Sequence, residues 1–145
     1  MAALSNYLEN AIVDHIFRSA TFTKPTNVYA ALFTATPSDT GGGTEVTGGS
    51  YARVAILSAD ASWKGTHGSA TGASSGTNGT ITNAAAATFP APTANWGTVT
   101  HMALFDALTV GNLLIWGALT ASKTVNNGDA APSFAIDELS IQIDN

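Results

Sequence analysis

Cysteine is absent from this 145-residue chain. Disulfides and thiolate metal sites are therefore excluded, and the redox compartment is left open. Charge is scarce: five Lys or Arg and ten Asp or Glu make up 10% of the residues. An ordinary soluble domain carries about 25%. The five cations, Arg18, Lys24, Arg53, Lys64 and Lys123, stand singly along the chain. Phosphate backbones are held by clustered Lys and Arg, so direct nucleic-acid binding is not expected. No apolar run approaches the ~20 residues that span a bilayer, and no membrane partner is expected. The opening residues lack the basic and apolar regions of a secretory signal, so the expectation is a cytoplasmic product that leaves only within a particle.

Apolar residues make up 45% of the chain and the net charge is −5. A surface so poor in charge has to be built from Thr, Ser, Ala, Gly and Asn. Such a surface suits packing against other protein better than standing alone in water. The length fits one domain, residues 1–145, large enough for a core without staples.

The first segment predicts a helix over about 5–18. Leu4, Leu8, Ile12 and Ile16 recur every four residues, and Tyr7, Ala11, Val13 and Phe17 widen the stripe. Ser5 or Asn6 can cap it, and Asn6 to Glu9 has capping-box spacing. The stripe is broad enough to meet either the domain's own sheet or a neighbouring subunit.

A β domain is predicted over about 27–143. Strand candidates are Val28–Thr34, Glu45–Thr47, Tyr51–Leu57, Thr98–Asp106, Asn112–Leu119, Lys123–Val125 and Ser133–Ile143. In Thr98–Asp106, strict alternation puts Val99, His101, Ala103 and Phe105 on one face, with Thr98, Thr100, Met102 and Leu104 on the other. A bulge is expected near Asp137–Glu138. The stretch Gly65–Thr88 is almost wholly Gly, Ser, Thr and Ala. A long loop is expected within about 63–85, mobile or ordered by a partner, with Thr80–Asn83 and Ala86–Phe89 pairing as strands. The fold class is mainly β: an antiparallel β-sandwich or barrel-like domain of seven or eight strands, with one N-terminal α-helix.

Chemistry-bearing patterns are sparse. His15, His67 and His101 are far apart in sequence, without the close ligand spacing of a zinc site. His101 reads as a partly buried sheet residue. No G-x-S-x-G nucleophile elbow occurs. Asp137 and Glu138, the one adjacent carboxylate pair, point to opposite faces of a regular strand. Gly41–Gly43 lacks the Lys-Ser/Thr and helix of a phosphate loop and reads as a flexible turn. The expectation is no enzyme activity, no metal and no cofactor. Trp63, Trp96 and Trp116 can serve as a sugar-stacking platform or as core or interface anchors, and their separation favours anchors. Candidate interface anchors are Tyr7, Ile12, Phe17, Trp63, Trp96 and Trp116.

Several segments together carry a resemblance: Leu4–Asn10, Val28–Thr34, Pro37–Val46, Gly48–Arg53, Phe89–Pro90, Trp96–His101, Leu104–Asp106 and Asn112–Leu114. They resemble a family of small tailed-bacteriophage virion structural proteins, labelled tail fibre proteins, whose similar chains also serve as capsid cement or decoration proteins. The resemblance implies a structural role and no catalytic residues. The leading reading is a capsid cement protein: a homotrimer made in the host cytoplasm and seated on the capsid exterior, bridging the major capsid protein against internal DNA pressure. The alternative is a tail fibre or other tail-associated protein, contacting tail proteins. A host-glycan-binding module using the tryptophans ranks lower, and a glycan hydrolase, which needs two placed carboxylates, lower still.

Overall fold

The computed structural model describes residues 3–65 and 79–143. A two-residue strand β1 (Ala3–Leu4) leads into helix α1 (Asn6–Phe17). Strands β2 (Asn27–Ala35), β3 (Thr44–Glu45), β4 (Val54–Leu57) and β5 (Trp63–Lys64) follow. After the segment 66–78 come β6 (Thr80–Asn83), β7 (Ala87–Thr88), β8 (Gly97–Phe105), β9 (Leu113–Val125), β10 (Ser133–Phe134) and β11 (Ser140–Gln142). Among the described residues all strand pairs are antiparallel, and none of the sheets closes into a barrel. The domain is therefore a sandwich-like β fold with one N-terminal helix.

The main sheet runs β1-β9-β8-β2-β3, and β4 pairs the other end of the same β2 edge. Strand β2 reads as a continuous apolar run because both of its faces are covered. Ala30 and Leu32 enter the main core, while Ala31 and Phe33 join a smaller cluster with Ala103 and Leu113. The main core adds Phe89, Trp96, Val99, Met102, Leu104 and Val125. Two small sheets, β11-β6-β5 and β10-β7, complete the fold. They bring Ile141 into the core, and Ile81 and Phe134 pack against it.

Several expectations are corrected. Lys123–Val125 is not a separate strand but the end of the 13-residue β9. Straight alternation in β8 fails at a register shift between Val99 and His101, which turns Val99 to the side of Met102 and Leu104. The strands β6 and β7 do not pair with each other: β6 lies between β5 and β11, and β7 pairs β10. Ser133–Ile143 is two short strands, broken by a turn in which Asp137 takes φ +68°. Within the loop expected over 63–85, Trp63–Lys64 and Thr80–Asn83 are strand, Trp63 pairing Asn83 and Lys64 pairing Thr82. The middle of that loop, 66–78, lies outside the described residues, as does His67.

Asn83 explains why 79–88 is ordered despite its composition. Its side chain is fully buried. The amide nitrogen donates to the carbonyls of Ala85 and Ala135, each at 2.8 Å, and the amide oxygen accepts from Leu139 N–H at 2.9 Å. One side chain thus ties the small-residue segment to the C-terminal strands. Local composition cannot reveal this, because the partners lie 52 and 56 residues away.

Candidate functional site

Helix α1 is held by its first turn. Ser5, not Asn6, is the N-cap: its Oγ accepts from Leu8 N–H at 3.2 Å and donates to the Leu113 carbonyl. The Asn6–Glu9 capping box is therefore not the device used. Ser5 N–H bonds Leu114 O at 2.9 Å and Asn6 N–H bonds Asp39 O at 3.0 Å. Leu4 belongs to β1, paired with Ile115, rather than to the helical stripe. Leu8 is the one buried residue of the helix.

The expected apolar stripe divides in two. Ala11 and Ile12 are half-buried beside Leu8. Val13, Ile16 and Phe17 are 52%, 63% and 78% exposed. At 100° per residue these three share a face turned away from Leu8. Single exposed apolar residues are ordinary, but a group of three on the last turns of one helix makes a patch. Glu9 stands one turn before Val13 on the same face, and Arg18 follows Phe17. Arg18, largely in water, meets the part-exposed Asp14 at 3.6 Å. Such a pair contributes little and is readily exchanged.

Beside the first turn of α1 lies an open apolar cleft of about 410 Å³. Leu8, Val28, Ile81, Ile115 and Ile141 supply aliphatic lining, and Phe22 and Trp63 supply rings. Its charged lining residues are Lys24 and Asp60. Lys24 Nζ donates to the Ser58 carbonyl at 2.8 Å. The buried Ser58 hydroxyl, also part of the lining, has no partner among the described residues. The volume falls within the range of sites that enclose a small ligand or a group of side chains.

A second hollow, of about 520 Å³, is lined by Tyr7, Phe33, Phe105, Arg53 and the Gly41–Gly43 turn, and the charged groups on its wall are bonded within the chain. Arg53 grips Glu45 with two contacts of 2.8 Å, donates to the Ala107 and Val110 carbonyls, and lies 3.6 Å from the centre of the Phe105 ring. Tyr51 donates to Glu45 at 3.0 Å and accepts from Leu32 N–H at 2.9 Å. Burial above all, and the neighbouring Glu45 carboxylate, push the Tyr51 phenol far above its ordinary range; the Leu32 N–H pulls the other way. The cluster clamps the edge of β2 and leaves Arg53 few free donors.

The six candidate anchors have separate fates. Tyr7 and Phe17 are exposed and Ile12 is half-buried. Trp63 is half-buried and lines the cleft. Trp116 is half-buried; its indole donates to Asp39 at 3.1 Å and its ring lies 6.3 Å from His101. Trp96 is a core residue, 5% exposed, with its indole N–H on Gly49 O at 3.0 Å. It has almost no surface to offer a partner, because the ring fills the core against Tyr51. Gly49 makes this possible: it takes φ +52°, and a Cβ there would stand 2.9 Å from the indole nitrogen.

The acidic candidates do structural work. Asp137 accepts from Lys64 at 2.6 Å and Thr82 at 2.8 Å, which hold its carboxyl below the usual range. Glu138 instead accepts from Ala135 N–H at 2.6 Å. Asp106 accepts from the backbone and side chain of Asn112. His101 sits half-buried on β8 with Nδ1 2.8 Å from Thr100 Oγ1. Among the described residues no three His, Asp or Glu side chains converge in a metal-binding group.

Sequence reasoning missed the cleft, because its lining comes from distant segments joined only by the fold. It also counted Ile16 with the inward stripe. One hint was present: Val13, Ile16 and Phe17 lie too far around the helix for a single face to bury them all with Leu8.

A family model described as Podophage GP4 fiber I protein gp80 matches residues 3–142. No curated protein matches the chain.

Proposed function

From the premise that this chain belongs to the podophage GP4 fiber I protein gp80 family, and so is a virion structural protein, we propose that it serves in the fibre apparatus at the tail, by protein–protein contact and without catalysis. The family match over residues 3–142 is the observation that carries this reading. The surface supports it: few charges, internally bonded polar clusters, and an exposed apolar helix face. The three tryptophans lie in a cleft wall, a core and a sheet face, an arrangement poorly suited to a shared sugar platform.

Imaging of intact virions with a label on this chain tests the location. Density confined to the tail, at a handful to a few dozen copies per particle, is the expected result. A second reading, cement on the capsid exterior against the major capsid protein, is favoured by the compact form of the domain, which has no coiled-coil or repeated shaft among its described residues. That reading predicts hundreds of copies over the shell. It also predicts that particles lacking the protein release DNA at lower temperature, since a ligand of the assembled shell stabilises it by mass action. Density over the shell would overturn the tail placement.

A further inference from the structure

We infer that the exposed face of α1 docks into the apolar cleft of a second copy of this chain. The two surfaces are complementary in kind. The ridge offers a ring and two branched side chains, Phe17, Ile16 and Val13, at i, i+3 and i+4 spacing. The cleft offers about 410 Å³ lined mainly by aliphatic side chains and two rings. Phe17 is too exposed to be seated in the cleft of its own chain.

Charge selects the occupant. The ridge is flanked by Glu9 and Arg18, one acid and one base. The cleft carries Lys24 and Asp60, again one of each. Lys24, Glu9 and Asp60 make no ion pair among the described residues, and Arg18 makes only the long contact to Asp14. In a chain with fifteen charged residues, this opposed pairing of Glu9 with Lys24 and Arg18 with Asp60 favours a second copy over an unrelated apolar ligand. Docking also covers an apolar patch that a monomer leaves in water.

Ridge and cleft are different surfaces, so the contact is heterologous: each copy gives its ridge to one neighbour and receives another's in its cleft. This holds whether the protein stands at the tail or on the capsid. It separates this contact from a symmetric helix–helix dimer, in which the same face meets itself.

Sedimentation of the full chain through the micromolar range tests the inference, with two variants. Phe17→Asp spoils the ridge, and Ala59→Arg obstructs the cleft, whose wall includes Ala59 beside Ser58 and Asp60. Far-ultraviolet circular dichroism checks that each is folded; Phe17 is exposed enough for its substitution to be tolerated. The expected result is concentration-dependent association of the native chain, lost in each variant alone. Mixing the two variants should yield a one-to-one complex, since one retains a cleft and the other a ridge. The milder Phe17→Ala should weaken association about thirtyfold, as loss of a buried aromatic anchor does. Lys24→Glu should weaken it and addition of Glu9→Lys should restore it, a second route should Ala59→Arg fail to fold. A native chain that stays monomeric overturns the inference. So does native-like association of Phe17→Asp, or failure of both the mixed variants and the charge exchange to restore binding.

Discussion

Replacing Asn83 with Ala removes the side chain that joins the small-residue segment to the C-terminal strands. Three groups lose a hydrogen bond: the Ala85 carbonyl, the Leu139 N–H, and the Ala135 carbonyl, which keeps its bond from Glu138 N–H. Ala85 and Ala135 are exposed residues, so water can replace much of what their carbonyls lose. Leu139 is buried, and its N–H is left without a partner. At about 1 kcal/mol for each replaceable bond and about 1–3 kcal/mol for the orphaned donor, the loss is about 3–5 kcal/mol. For a chain near this size each kcal/mol moves the melting temperature by about 3–4 °C, so the midpoint should fall by roughly 9–20 °C. Calorimetry measures this, and hydrogen exchange should show β6 and β11 opening together. Asn83→Asp separates hydrogen-bond chemistry from size. It keeps an acceptor for Leu139 N–H but turns a carboxylate oxygen toward two carbonyls. It should be at least as damaging as Ala at neutral pH. Its carboxyl is disfavoured when charged, so the folded pKa rises above the unfolded one. The damage should therefore shrink as pH falls through the folded value. A fall of less than about 4 °C in Asn83→Ala, or an Asn83→Asp protein as stable as the native one at neutral pH, would refute the reasoning.

Tyr51→Phe should cost about 1–3 kcal/mol by orphaning Leu32 N–H, seen as a lower denaturant midpoint with an unchanged slope. In the native protein Tyr51 should stay protonated in an alkaline ultraviolet titration carried past the ordinary phenol range. Because its folded pKa is raised, its contribution is present below the ordinary phenol range and lost as pH rises through the folded value. Asp137 should titrate below an ordinary aspartate by carboxyl NMR, and Lys64→Met should raise it toward the usual range; its folded pKa being lowered, its contribution to stability is lost as pH falls through that value. Gly49→Ala should cost about 1–3 kcal/mol for the left-handed backbone alone and red-shift tryptophan emission by displacing the Trp96 ring; unchanged emission and stability would contradict the packing described.

The features legible in the sequence were those set by local pattern. Four-residue spacing of Leu8, Ile12 and Ile16 is enough for a helix, and β-branched and aromatic runs are enough for β2, β8 and β9. Scarce charge pointed to a structural part, in agreement with the family. Tertiary structure alone decided which side of each element meets the core. The α1 stripe is wider than the strip its first turn can bury, so geometry at Ser5 and Leu8, not hydrophobicity, left Phe17 in water. A register shift in β8, invisible in composition, sent Val99 to the same side as Met102. Trp63 and Trp96 are alike as residues, yet one lines a cleft and the other fills the core. Asn83 looks like any polar residue in a small-residue stretch until partners 52 and 56 positions away close around it. Local propensity acts over a few residues, whereas burial and hydrogen-bond partners are chosen by contacts between distant segments.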